Sequence, residues 1–218
     1  MTARLHTYFR SSAAYRVRIA LHLKGLPYEA VPVHLLRGGG EQHLPAFAAL
    51  NPHELVPVYQ DGRGAVLRQS LAIVEYLDEV HPQPALLPAD PVGRAQVRAL
   101  ALDVACEIHP VNNLRVLAYL TGTLGQPEEA RLAWIRHWVG VGFDALEATL
   151  RNAPTRGRFS WGDTPTLADL CLVPQIFNAR RFGVEIESRY PTLAAIDAAC
   201  AALPAFRAAH PQAQPDAA

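Results

Sequence analysis

The sequence predicts an α/β half followed by an all-α half, and three observations carry that reading. Short strand-like apolar runs alternate with helical ones over the first eighty residues. The stretch "HPQPALLPADPVG" (81–93) then places four prolines in thirteen residues, the composition of a boundary. Beyond it, Ala- and Leu-rich segments keep helical spacing without strand alternation. The expected domains are 1–82, a linker at 83–92, and a helical domain over 93–218.

Within the first domain, "RLHTYF" (4–9) reads as a strand and "YRVRIALHLKG" (15–25) as a helix closed by Gly25. "PYEAVPVHL" (27–35) suits a second strand near an edge, since Pro32 has no N–H for a ladder. A polar loop, "RGGGEQ", follows. "LVPVYQDGRGAVLRQS" (55–70) reads as a hairpin around Asp61-Gly62. "SLAIVEYLDEVHP" then sets Ile73, Leu77 and Val80 on one helical face. The order is β-α-β-(loop or helix)-β-β-α. Later helices are expected near 92–120, 127–151, 166–182 and 192–208, ahead of a frayed tail, "AAHPQAQPDAA".

Composition narrows the function classes. With 218 residues and half of them apolar, the chain can bury a sizeable core. Twenty basic residues balance twenty acidic ones, so no broad field draws nucleic acid or anionic membrane, and "RVR" (16–18) is too small a basic cluster to do so. Cys106, Cys171 and Cys200 are odd in number and widely spaced, which argues against a disulfide framework and for a reducing compartment. The start, "MTARLHTYFRSS", has no apolar signal core, and no run reaches the roughly 18 residues a bilayer span needs. A cytoplasmic protein with no membrane partner is expected. The nine histidines lack ligand spacing and HExxH is missing, so no metal site is expected.

The chemistry is expected at "FRSSAAYRVRIAL" (9–21). Ser11 and Ser12 fall where a strand hands over to a helix, the place for N-capping hydroxyls. The same geometry offers free amides and the positive end of the helix dipole to an anion, including a thiolate. In "ELVPVY" (54–59), a cis Val56-Pro57 bond would turn the backbone of Val56 outward to pair with a peptide-like ligand. In "RQSLAIVEYL", Gln69 and Ser70 open another helix that could hold a carboxylate.

In this order the motifs resemble the cytosolic glutathione transferases, and within them the zeta class, over nearly the whole chain. The family signature Ser-Ser-Cys-x-x-Arg-Val-Arg-Ile-Ala-Leu stands here as "SSAAYRVRIAL", with "ALNPHELVPV", "QSLAIVEYLDE", "IHPVNNLRVL", "GDTPTLADLCLVPQ" and "ARRFGVE" as further matches. The resemblance implies a thioredoxin-like N-terminal domain that binds glutathione, a helical C-terminal domain that forms most of the second-substrate site, and a homodimer. It implies a glutathione site of Ser11, Ser12, Gln42, Val56, Pro57, Gln69 and Ser70, with His109 and Asn113 from the helical domain. Ser11 is the hydroxyl expected to hold the thiolate.

The implied reaction is cis-to-trans isomerisation of maleyl keto acids from aromatic breakdown, by thiolate addition, bond rotation and elimination. Such a dianion needs cations that do not titrate, and Arg10, Arg115 and Arg181 are the candidates. Arg10, beside Ser11 and Ser12, is also placed with the catalytic group. Zeta relatives acting on maleylacetoacetate often carry a small polar residue where Arg115 stands. An extra cation there suits the shorter maleylpyruvate, so that substrate is modestly favoured. Ala13 replaces the family cysteine, which removes a thiol from the site while leaving the cofactor's own. A conjugating transferase or dehalogenase that consumes glutathione, and a non-catalytic binding protein on the same fold, are the competing readings.

Other features read as structure. "TLAD" (166–169) fits a capping box closed by Thr166 and Asp169. Cys106 and Cys171 lie in apolar helical runs and are expected in the core. Trp134, Trp138 and Phe143 are expected to pack.

Overall fold

In a computed structural model of the chain, residues 2–217 are described. Two compact units emerge: residues up to Leu86 joined by those from Ala201 onward, and Leu87–Cys200.

The first unit runs β1 (Arg4–Thr7), α1 (Ser12–Leu23), β2 (Glu29–Pro32), α2 (Pro45–Leu50), β3 (Val58–Gln60), β4 (Val66–Arg68) and α3 (Ser70–Val80). The segment left open between the second and third strands is therefore a pair of 3-10 turns, Arg37–Gly39 and Glu41–His43, followed by α2. The sheet order is β2-β1-β3-β4, with β1 parallel to β2 and antiparallel to β3, and β3 antiparallel to β4. β2 is an edge strand, where Pro32 costs no ladder bond.

β1 alternates as a two-residue period requires, with Leu5 and Thr7 buried and Arg4 exposed. It stops at Thr7 rather than at residue 9, because the Ser11 amide turns back to Tyr8 O at 2.9 Å to open α1. α1 buries Val17, Ile19, Ala20 and Leu21 completely, and each of the three larger side chains contributes about 1.5–3 kcal/mol. It ends as expected, with Gly25 in the left-handed region at φ 63°. Asp61 ties the hairpin by accepting the amides of Arg63, Gly64 and Ala65 at 2.8, 3.0 and 2.9 Å. In α3 the buried face is Ile73, Val74 and Leu77. Val80 is 41% exposed, contrary to the helical pattern, because it closes the helix and no further turn packs over it.

The second unit contains α4 (Pro91–Leu102), α5 (Leu114–Ala118), α6 (Glu128–Asn152), α7 (Leu167–Arg181), α8 (Ile186–Arg189) and most of α9 (Pro191–Ala201). The helix expected near 92–120 is broken. π-helical turns occupy Asp103–Ile108 and Tyr119–Thr123, and Pro110, which has no N–H, opens a 3-10 turn to Asn112. Val97, Ile108, Ile135, Val139, Phe143, Leu170 and Ile176 are core. Gly142 lets α6 approach the first π turn, since a Cβ there would collide with Ile108. Trp134 and Trp138 are half-buried, and the Trp134 indole donates to Val111 O at 2.9 Å. Cys171 is buried, but Cys106 is exposed, which corrects the core expectation: the π turn carries position 106 to the surface while keeping Val104 and Ile108 inside.

The "TLAD" capping box is present. Asp169, fully buried, accepts the Thr166 amide and hydroxyl at 2.7 and 3.1 Å and the Ser160 amide at 2.8 Å.

The C-terminal segment corrects two expectations, since it is neither frayed nor part of the helical unit. The last expected helix breaks at Pro204, and α10 (Pro204–Ala209) packs on α1. Arg18 explains why: fully buried in α1, it donates to Ala209 O (3.1 Å), Thr7 Oγ1 (3.0 Å), Tyr8 O (3.3 Å) and Phe9 O (2.9 Å). Asp216 accepts the Phe9 amide at 2.9 Å. Burial lowers the Arg18 pKa to about 10, so the group stays a cation at neutral pH. Ala218 lies outside the described residues.

Candidate active site

Sheet register brings the expected N-terminal residues to one end of the first unit. His6 of β1 faces Val58 of β3, Val58 faces Arg68 of β4, and Thr7 faces Pro32 of β2. The chain therefore leaves β1 toward Arg10, Ser11 and Ser12, enters β3 through Val56 and Pro57, and leaves β4 into Gln69 and Ser70, all at one end of the sheet. Gln42 lies beyond β2, in the second 3-10 turn.

Each residue has a local cause. Ser11 caps α1, its Oγ accepting the Ala14 amide at 3.2 Å, and it is partly exposed while Ser12 is buried. An oxygen that already accepts leaves the hydroxyl proton for an outside partner. Ala13 is half-buried in the first turn. The Arg10 guanidinium donates to the Tyr8 hydroxyl at 2.9 Å and lies 4.8 Å from the Phe9 ring centroid, so its charge is steered by two aromatics and bonded to a neutral oxygen. Val56 joins a buried cluster with Tyr8, Val33, Phe47 and Val58, and the Val56-Pro57 bond is cis.

Gln42 is buried, with its amide nitrogen 2.9 Å from His43 Nε2, and His43 Nδ1 is 2.6 Å from Glu54. Gly40, at φ 109°, makes this possible, because a Cβ would collide with the Gln42 amide. Gln69 caps α3 at φ 67°, a strained conformation for a residue with a Cβ, and its side chain makes no cap bond. The first intrahelical bond of α3 is Ile73 N to Gln69 O at 3.0 Å. The amides of Ser70, Leu71 and Ala72 therefore have no partner within the helix, as at any helix start, and carry its positive dipole end. Ser70 Oγ accepts from Arg16 Nη1 at 3.2 Å, and both residues are buried.

In the second unit, His109, Asn113 and Arg115 share one short stretch. His109 is half-buried between the π and 3-10 turns. Asn113 caps α5 by accepting the Arg115 amide at 3.2 Å, and the Arg115 side chain is exposed. Arg181, exposed at the end of α7, donates to Asn178 at 3.0 Å and sits 5.3 Å from the Phe182 ring centroid. Among the described residues no cluster of three or more metal-binding side chains occurs, and no helix is long and apolar enough to cross a membrane.

Sequence reasoning missed the support behind this end of the sheet. The His43–Glu54 pair and the Arg16–Ser70 bond join residues far apart in sequence or of unremarkable type, and the "RVR" motif lies inside the unit rather than on its surface.

Ser11 at the start of α1 and the amides that open α3 are the groups here that could hold an anion. The glutathione S-transferase N-terminal domain family matches residues 5–85. A probable maleylacetoacetate isomerase of Vibrio cholerae is 55% identical over 217 residues, covering 100% of this chain and 99% of that protein. A holo structure described as a maleyl pyruvate isomerase, a bacterial zeta-class glutathione S-transferase, is also 55% identical. It covers 99% of this chain and 100% of its own at a TM-score of 0.94. A maleylacetoacetate isomerase from Anaeromyxobacter dehalogenans, solved with GSH in its active site, is 50% identical with a TM-score of 0.87, covering 100% of this chain and 98% of its own. By these matches over its whole length, this chain belongs to the zeta class of the glutathione S-transferase family.

Proposed function

We propose that the protein is a glutathione-dependent cis-trans isomerase of maleyl keto acids, preferring maleylpyruvate to maleylacetoacetate, and that it works as a cytoplasmic homodimer without a metal. The observation that carries this reading is the register that brings Ser11, Val56 and Ser70 to one end of the sheet. Relatives of both substrate names stand at the same 55% identity, so the preference rests on Arg115.

Glutathione, when bound, supplies the nucleophilic sulfur, so the chain needs no cysteine where Ala13 stands. Ser11 offers its proton to the thiolate; a hydrogen bond to a charged acceptor contributes about 1.5–3 kcal/mol, or about 1–2 pKa units. That moves a thiol near 8.5 toward neutrality. Val56 pairs its backbone with the peptide, while Gln42 and Gln69 border it. Ser70 and the first amides of α3 hold a carboxylate. His109 and Asn113 are assigned to glutathione, and Arg10, Arg115 and Arg181 to the two carboxylates of the keto acid.

The test is steady-state kinetics on both substrates. Arg10→Ala and Arg115→Ala should each raise the keto-acid KM about tenfold or more and leave the glutathione KM unchanged. Arg115→Ala should also narrow the preference for maleylpyruvate. Unchanged keto-acid KM values would remove both residues from the substrate site.

A further inference from the structure

Arg16 lies in α1 with 2% of its surface exposed, so packing fixes where its guanidinium points. Its Nη1 is 3.2 Å from the Ser70 hydroxyl oxygen. A guanidinium has only donors, so Ser70 Oγ must be the acceptor, and the single Ser70 proton is directed elsewhere. Ser70 is the first residue of α3, beside amides unpaired within the helix and behind a Gln69 cap whose side chain makes no cap bond.

We propose that Arg16 is a positioning residue for the α-carboxylate of the γ-glutamyl group of glutathione, acting through Ser70. This rests on the reading that glutathione binds at this end of the sheet. Arg16 fixes the Ser70 oxygen from behind, so that its hydroxyl proton and the α3 amides converge on one carboxylate. A lysine would keep the charge but not the planar fork that fixes direction. The "RVR" motif thus divides its work: Arg18 secures the loop leading to Ser11, and Arg16 secures the hydroxyl at the other helix start.

The experiment compares glutathione with 4-aminobutyryl-cysteinyl-glycine, which lacks only that carboxylate, by calorimetric titration of the folded wild type, Arg16→Lys, Ser70→Ala and the double variant. Wild type should bind the analogue at least about tenfold more weakly than glutathione. Arg16→Lys should weaken glutathione about tenfold and leave the analogue unchanged. Its effect should largely vanish in the Ser70→Ala background. Arg16→Gln, which keeps a neutral donor, replaces Arg16→Lys if that variant does not fold. Equal weakening of both ligands, or full additivity with Ser70→Ala, would make Arg16 merely structural and overturn the proposal. A wild type that binds the two ligands equally, or neither, would instead overturn the glutathione reading at Ser70, and the proposal with it.

Discussion

Ser11 Oγ accepts the Ala14 amide at 3.2 Å, so one hydroxyl both caps α1 and retains a proton for a ligand. The two roles separate by substitution. Ser11→Ala should cost about 1 kcal/mol of stability through the lost cap, whereas Ser11→Gly costs only a few tenths. Both should lower kcat/KM about tenfold to a hundredfold, because each removes the hydroxyl proposed to hold the thiolate. Ser12→Ala, at a buried position, should lower it less. Thermal melts beside kinetics check the pair, and equal activity in Ser11→Gly and wild type would discard the thiolate role.

Arg18 donates to four oxygens spread over β1, the loop before Ser11 and the C-terminal segment. Arg18→Met should therefore destabilise by about 2–4 kcal/mol, since several buried acceptors lose their partner. Removing residues 209–218 should destabilise in the same direction and raise proteolytic sensitivity of the loop at 8–11. A tail deletion that melts like wild type would show the segment to be dispensable.

Much of this was legible in the sequence because it depends on local chemistry. The Ser11 cap, the edge placement of Pro32, the Asp61 hairpin and the Thr166–Asp169 box each follow from one or two neighbouring residues. What stayed hidden depends on packing between distant segments. Arg16 and Arg18 read as a small basic cluster because nothing local says that α1 is covered on all sides. The tail read as frayed because its anchor, Arg18, lies 191 residues before Ala209. Cys106 read as core because apolar neighbours predict a regular helix, and the π turn rotates it outward. The N-terminal candidates were gathered by register, which sequence spacing alone does not fix.

Asp169 carries folding rather than chemistry. Burial pushes its carboxyl up while bonds from Thr166 and Ser160 oppose that shift. Asp169→Ala leaves the Ser160 and Thr166 amides without an acceptor and should cost about 2–4 kcal/mol. The surviving folded fraction should keep its glutathione KM, which active-site titration beside denaturant melts would check.

Thiol labelling tests the cysteine assignments. Cys106 is exposed, Cys171 is buried, and burial pushes the buried Cys200 thiol far up. Iodoacetamide should label about one cysteine per native chain, at Cys106, with the others reacting only on unfolding. Fast native labelling of Cys171 or Cys200 would contradict the packing of the helical unit.

In the proposed reaction glutathione acts as a catalyst and is returned unchanged. The most direct measurement follows the absorbance of freshly generated maleylpyruvate and, separately, maleylacetoacetate, with and without a trace of glutathione. A fumaryl-specific hydrolase is coupled to the reaction, and free thiol is assayed at the end. The isomerase should give many turnovers per glutathione, no loss of thiol, and a faster rate with maleylpyruvate. Thiol consumed in step with substrate would make the protein a conjugating transferase, and no turnover of either substrate would make it a binding protein on a transferase fold.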